Sequence, residues 1–340
     1  MAKKKSGAVY RPSSPADVLF LAAQKQHQAG DLEAALAGYG KVLRLLPNHV
    51  EVLNNIGAIH FSRGELVEAE ASFARILAVR PDSLKALKNI AVVCKSLGKR
   101  AEAIEYNKRA IAIDGNDLDA LVGLGVILFE DARYFESIVY WRRAAALAPN
   151  NPRVLADFGL CLRWVYEPEE AEANLRKAMS MEVTAMANNA LGITLKLLSR
   201  YEEASECFRN AVRLDPNMNE TIWNEATSRL LFGEFEAGWK LYEARWKVAA
   251  IPTPRRQYDR PHWEGEPLEG RRLLIHWEQG LGDTLQFIRY AQLVKQRGAT
   301  VIALMQPEVV SLLARCPYID QVIATNDPLP PFDYHIPLLS

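Results

Sequence analysis

Gly64-Glu-Leu-Val-Glu-Ala-Glu-Ala-Ser-Phe-Ala-Arg-Ile-Leu-Ala-Val-Arg-Pro81 is the stretch that decides the fold. It opens on a turn glycine, passes a small residue at Ala69 and a large one at Phe73, and closes on a proline. The phrase returns along the chain. Pro47 and Pro81 lie 34 residues apart, Pro81 and Pro149 lie 68 apart, and Pro149 and Pro216 lie 67 apart. Gly115 stands where the intervening proline is missing, and Gly30, Gly98 and Gly233 mark the same turn as Gly64. Before each turn a small residue recurs, at Ala23, Gly57, Ala91, Gly125, Gly159, Gly192 and Ala226. After it comes a second, at Ala35, Ala69, Ala103, Ser137, Ala171, Ala204 and Gly238. Four positions further on stands a large residue, at Tyr39, Phe73, Trp141, Leu175, Phe208 and Tyr242, with Asn107 as the exception.

Two antiparallel helices approach closely only where side chains are small. The spacing therefore predicts a helical hairpin in each period, with glycine ending the first helix in a left-handed conformation and proline closing the second. The large residue is expected to fill the space between one unit and the next. One hairpin cannot bury its apolar face alone, so the units must stack and share a core. The pattern resembles the tetratricopeptide repeat over residues 16–247, in seven units. That resemblance implies an all-α curved solenoid that holds other proteins. The fifth unit, one residue short between Pro152 and Thr184, is where an irregular stack is expected.

The first helices should line the inner face. Asn55, Asn89 and Asn224 share one register there, with Asp157 in the same place, while Leu21, Gly123 and Ala190 break the series. An amide both donates to and accepts from an extended peptide. Protein O-linked N-acetylglucosamine transferases carry a comparable asparagine ladder that grips target backbones. Plain solvated polar positions are the other reading of the same residues. An acceptor protein or peptide in this groove is the expected partner.

Bulk composition suits a soluble protein with ample core, 49% hydrophobic and 24% charged. The 41 basic and 41 acidic side chains cancel, so nothing points to nucleic acid or an anionic membrane. Cys94, Cys161, Cys207 and Cys316 are far apart, which suggests neither a metal site nor a disulfide framework and fits a reducing cytoplasm. No apolar run is long enough to span a membrane. Residues 1–15 are expected to be a disordered basic lead-in.

Past the seventh unit the texture changes. Trp239 and Trp246 are expected either to cap the solenoid or to dock it onto the C-terminal segment. Pro252, Pro254, Pro261 and Pro267, with Arg255, Arg256 and Arg260, make 248–270 a linker through which no helix runs. Residues 271–340 then alternate strand and helix. Strands are expected near 273–276, 300–305, 320–324 and 334–339, with helices over 285–297 and from Pro307. That alternation predicts a parallel sheet of Rossmann type. The glycine-rich turn Gln279-Gly-Leu-Gly-Asp283 falls after the first strand, where open α/β sheets bind ligands. Gly280 and Gly282 let a ligand approach the backbone. The turn is not a nucleotide-hydrolase phosphate loop, because no Gly-Lys-Ser/Thr is present.

His276-Trp-Glu-Gln-Gly-Leu-Gly-Asp-Thr-Leu-Gln-Phe-Ile-Arg-Tyr290 resembles the signature of bacterial tetratricopeptide proteins fused to a heptosyltransferase-like glycosyltransferase domain of the GT-B type. The lead-in Trp263, Gly265, Leu268 and Gly270 and the phrases from Asp327 and Phe332 fit the same family. The resemblance implies inverting sugar transfer from a nucleotide sugar to a protein recruited by the solenoid. It implies that Asp283 is the general base, with His276, Glu278, Gln279, Gly280, Gly282, Thr284, Gln286 and Arg289 near the substrate. A base is needed to take the proton of the attacking hydroxyl. From its residue type alone, Asp283 reads as a helix N-cap before it reads as a base. His276 reads as a core histidine, and Arg289 as a phosphate ligand or a surface ion-pair partner. Such an enzyme needs a second domain for the donor. The chain is therefore expected to be cut short, to bind no cofactor alone, to have little or no activity alone, and to leave an exposed sheet edge for self-association. The alternative is a non-catalytic adaptor whose C-terminal segment is only a cap.

Overall fold

The computed structural model describes residues 14–248 and 256–340. The basic lead-in before Ser14 and the linker prolines Pro252 and Pro254 lie outside these residues. The chain divides into two compact units between Arg200 and Tyr201.

The first unit holds α1 (Pro15–Gln28), α2 (Leu32–Leu45), α3 (Val50–Ser62), α4 (Leu66–Val79), α5 (Leu84–Ser96), α6 (Arg100–Ile113), α7 (Leu118–Glu130), α8 (Tyr134–Leu147), α9 (Pro152–Trp164), α10 (Pro168–Met181) and α11 (Ala185–Leu197). A 13-residue helix, a three-residue turn, a 14-residue helix and a four-residue link make up the period of 34. In the short fifth unit both helices keep their lengths. The missing residue comes out of the link, which is only Glu182, Val183 and Thr184.

Each turn closes with the same backbone hydrogen bond, from the residue after the turn centre to the carbonyl five residues back. Examples are Glu65 to His60 at 2.9 Å and Glu167 to Leu162 at 3.1 Å. The turn centre must then be left-handed, as Gly30, Gly64, Gly98 and Gly233 are, with φ between 75° and 82°. Where glycine is missing the backbone does not change: Ala132, Tyr166 and Ser199 hold φ of 57°, 62° and 58°. An L side chain there costs on the order of 1–2 kcal/mol.

The small and large positions meet within a unit. A Cβ on Gly57 would stand 2.7 Å from the Phe73 ring, and one on Gly159 would stand 2.7 Å from Leu175. One buried cluster holds Phe73 together with Leu87 and Ile90 of the following repeat. Neighbouring units are joined partly by arginines: Arg75 donates to the Pro47 carbonyl at 2.7 Å, and Arg109 to that of Pro81 at 2.9 Å. Asn107, the exception in the large series, donates to the Ala103 carbonyl and is buried.

The second unit holds α12 (Tyr201–Leu214), α13 (Asn219–Leu231) and α14 (Phe235–Tyr242), then a 3-10 turn, Glu243–Lys247. Next come β1 (Arg272–His276), α15 (Leu281–Phe287), α16 (Ala291–Gln296), β2 (Thr300–Met305), α17 (Pro307–Leu313), β3 (Gln321–Ala324) and β4 (Tyr334–Pro337). The strands are all parallel, in the order β3-β2-β1-β4, with Ile275 opposite Ala303 and Ile336. Alternate residues face opposite sides. Leu273, Ile275, Val301 and Ala303 pack under Ile288, Ala291, Val309 and Leu313, whereas Leu274, Ile302, Leu304 and Ile323 pack with Phe332 and Tyr258. The helix expected over 285–297 is two helices, broken by a 3-10 turn at Ile288–Tyr290.

The expected open edge is only partly open. His335 of β4 donates to the Pro261 carbonyl at 3.1 Å and accepts from Trp263 at 2.9 Å. The linker stretch Pro261–Trp263 therefore straps the β4 edge, and Trp263 packs against the sheet core.

Candidate functional site

Two grooves open in the first unit, and they occupy the same register in two different repeats. One, of about 460 Å³, lies where α3 begins, where α4 ends and where α5 begins; it is lined by Glu51, Asn54, Ile76, Arg80 and Lys85 among others. The other, of about 390 Å³, lies at the corresponding ends of α9, α10 and α11, with Arg153, Ala156, Asp157, Ala178 and Glu182. Glu51 and Arg153, Ile76 and Ala178, and Arg80 and Glu182 are equivalent pairs, each separated by three periods. The geometry repeats while the charges invert.

The expected ladder enters these grooves only in part. Asp157 lines the second, and burial pushes its carboxyl above the usual carboxylate range against the pull of Arg153. Asn89 donates to Asn54 at 3.0 Å, so the groove residue in the first is Asn54, one position earlier than the sequence reading placed it. Asn55 turns onto the Tyr39 hydroxyl at 3.2 Å. Asn224 is buried at 7% exposure.

The glycine-rich turn sits at the carboxyl end of β1, and its residues divide into two groups. Glu278 is 3% exposed and faces Arg245 of the 3-10 turn. Its Oε2 accepts from Arg245 Nε at 3.0 Å and Nη2 at 2.9 Å, and its Oε1 accepts from the Leu339 N–H at 2.6 Å. Arg245 also donates to the Tyr242 carbonyl, to Glu243 and to the Ser340 hydroxyl. All five guanidinium donors are thereby used. The rings of Tyr242 and Trp246 lie 4.9 and 4.4 Å from its carbon. Glu278 thus joins the last repeat to the sheet and is closed to a ligand. Burial raises its carboxyl while Arg245 pulls it down.

Thr284 is likewise internal, donating to Gln306 Oε1 at 3.0 Å, and Gln306 Nε2 donates to the Gln279 carbonyl at 2.9 Å. The Gln279 amide donates to the Tyr242 hydroxyl at 3.1 Å. Trp239 meets Phe287 of α15 edge to face at 5.6 Å, so it docks the repeat rather than capping it. His276 is 2% exposed, 3.4 Å from His335, with no partner on Nδ1. Burial, then Arg256 and His335, push it down to about 3.

The remaining residues are exposed, except Asp283, which is half-buried. Gly280 is the N-cap of α15, and Asp283 stands at the third helical position. Its Oδ2 accepts from the Gly280 N–H at 3.1 Å. Asp283 is therefore not the N-cap that its residue type suggested, although it does bind backbone. Apart from the backbone of its own helix and its chain neighbours, nothing lies within 4 Å of where a Cβ on Gly282 would stand. Gln286 and Arg289 are exposed, with Arg289 over the Tyr290 ring at 5.1 Å. Arg245 and Gln306, which shape the turn, carried no motif, and Tyr242 stood out only as a repeat position. Only the aromatic density of Trp239-Lys-Leu-Tyr-Glu-Ala-Arg-Trp246 hinted at a docking surface.

Models of the tetratricopeptide repeat match residues 49–115 and 186–218. With the helix pairs and turns above, these make the chain a carrier of tetratricopeptide repeats. Protein FlbA of Caulobacter vibrioides is 28% identical over 164 residues, a stretch covering 37% of this chain and 28% of that protein. The match thus takes in little more than a quarter of the relative's length. The structure of pilF from Pseudomonas aeruginosa superposes with a TM-score of 0.51 at 18% identity, over 59% of this chain and 92% of that one, which shows the shared repeat fold. YrrB, a repeat protein with an unusual peptide-binding site, gives a TM-score of 0.49 at 19% identity, over 58% and 98%. Among the described residues, no helix is long and apolar enough to cross a membrane, and no cluster of His, Cys, Asp and Glu could hold a metal ion.

Proposed function

We propose that the repeats hold an extended segment of a partner protein in the grooves between successive hairpins. The observation that carries this is the recurrence of one groove geometry at two junctions, each of ligand-pocket size. The inverted charges favour a segment whose charge changes sign along its length. Peptides selected from a display library against the whole chain test this. Asn54→Leu and Asp157→Leu should each weaken the selected peptides by about tenfold or more. Binding unchanged in both variants would remove the grooves from the account.

The finer reading is that the recruited protein is an acceptor for sugar transfer, and that residues 271–340 are part of the transferring domain. The resemblance of His276–Tyr290 supports it, as does the position of the turn at the carboxyl end of β1. On this reading Asp283 takes the acceptor proton, with Gly280, Gly282, Gln286 and Arg289 beside it, and a nucleotide sugar is the donor. Glu278 and Thr284 then serve the shape of the turn. The adaptor alternative is favoured by the internal role of so many of the turn's side chains. Sugar transfer by a protein containing this chain, compared with its Asp283→Ala variant, separates them. Loss of transfer with retained folding supports the enzyme, and equal transfer removes Asp283 as base. Self-association through the sheet would fall to β3, because β4 is strapped.

A further inference from the structure

The first groove differs from the second in more than the sign of its charges. Asn54 lines it and is 7% exposed. Its Oδ1 accepts from Asn89 Nδ2 at 3.0 Å, while its own Nδ2 has no hydrogen-bond partner among the described residues. An amide enclosed in this way holds two donor hydrogens for whatever enters the groove. Beside it begins α5. The first N–H groups of a helix have no partner within that helix. Asp31, His49, Asp117, Asn151 and Thr184 each take such a group onto the side chain, but Ser83, the N-cap of α5, does not. Ser83 and Lys85 both line the groove. They bring to it a free hydroxyl and the uncapped start of a helix, which favours negative charge.

The charged side chains point the same way. Arg80 and Lys85 make no ion pair with any described residue, and neither does Glu51. Counting His49 as neutral, the lining is one charge positive. In the second groove the place of Asn54 is taken by Ala156 and that of Arg80 by Glu182. There Thr184 caps its own helix, accepting from the Ala187 N–H at 3.1 Å. The free donors therefore belong to the first groove and not to the second.

A set of N–H and O–H donors with one net positive charge suits a singly charged oxyanion. A phosphate monoester carries close to two charges and would meet Glu51, whereas a carboxylate carries one and accepts several hydrogen bonds at once. We propose that the first groove is a carboxylate subsite, in which the donors of Asn54, Ser83, Arg80 and Lys85 receive an aspartate or glutamate side chain of the partner segment. This rests on the groove reading above and fixes which end of the bound segment is acidic.

The test titrates the full, isotope-labelled chain with a blocked pentapeptide that has one glutamate among glycine and alanine. The glutamine and phosphoserine versions are the controls. Nuclear magnetic resonance should show saturable shifts of the Asn54 side-chain amide and of the Lys85 and Ala86 N–H groups with the glutamate peptide, weakened by added salt. Arg80→Glu, which copies the second groove, should weaken this binding by about tenfold or more. Lys108→Glu, the same change of charge away from both grooves, should not. The proposal is overturned if the glutamate peptide moves none of these resonances, if either control peptide binds as tightly, or if Lys108→Glu weakens binding as much as Arg80→Glu. Tighter binding of a glutamine peptide with a free C-terminus would give the subsite to a chain end and overturn the side-chain assignment. Display-selected peptides that weaken in Asn54→Leu and Asp157→Leu, while the glutamate peptide moves nothing, would leave the grooves standing and remove the carboxylate. Selected peptides indifferent to both variants would remove the grooves and the subsite with them.

Discussion

Replacing Arg245 by methionine removes a guanidinium from a place where all five of its donors are engaged. Glu278, with its side chain only 2% exposed, would be left with the Leu339 N–H as its remaining partner. Taking one member from a buried ion pair costs about 3–5 kcal/mol, because an uncompensated charge stays in the interior. The same pair on the surface would be worth about 1 kcal/mol at most. Arg245→Met should therefore lower the stability of the second unit by about 3–5 kcal/mol. The unpaired Glu278 carboxyl would titrate higher in the folded state than in the unfolded state. The folded state then binds more protons as pH falls, so the penalty should shrink toward acid pH. The double variant Arg245→Met/Glu278→Leu removes both charges and should recover most of the loss. Hydrogen exchange of the Arg272–His276 amides, followed across a urea series, reads these values for the second unit alone. A loss below about 1 kcal/mol in Arg245→Met, with no recovery in the double variant, would refute the buried hub.

The turns, the core and the buried imidazole each carry a further expectation. Ala132→Gly and Ser199→Gly should each stabilise the first unit by about 0.5–1 kcal/mol, the left-handed penalty less the added entropy of glycine. Thermal melts check this, and a lowered midpoint would contradict the turn geometry. Gly57→Val should cost about 1–3 kcal/mol by driving a side chain into Phe73, with partial recovery on adding Phe73→Leu. His276 is held neutral, at about 3 against 6.5 for the free group, so the unfolded chain takes up the extra proton between those values. Stability should fall as pH drops from 6.5 toward 3, by up to about 1.4 kcal/mol per pH unit. Urea titrations at neutral and mildly acid pH should show a shallower fall for His276→Gln than for the wild type.

The helices of the repeats were legible because their signals are local and periodic. Proline, glycine and the small positions act within one hairpin, and the 34-residue beat repeats them. The same locality limits what could be read at Phe73. Spacing told that a large residue faces a small one, but not that Gly57 of the same unit was the partner. The missing residue of the fifth unit was visible, whereas its removal from the link between α10 and α11 was not. In the C-terminal segment, alternation exposed all four strands, since Leu273–His276 and Thr300–Met305 are apolar runs. The burial of Glu278 was not legible, because it is decided by Arg245, 33 residues away and outside any motif. Asn54 was passed over for Asn55 because one position on a helix turns a side chain by about 100°. Tyr166 drew no notice, since its strain exists only once the turn has closed.

Grooves in one register at two junctions should contact the same bound chain. Photo-crosslinking tests this most directly, with a photoreactive phenylalanine placed in the full chain at Glu51, at Arg153 and, as a control away from both grooves, at Lys108. Both groove positions should capture the same partner protein, through different segments of one stretch of its sequence, and the control should not. Capture from the control alone, or unrelated partners at the two grooves, would contradict the claim that the repeats hold one extended segment.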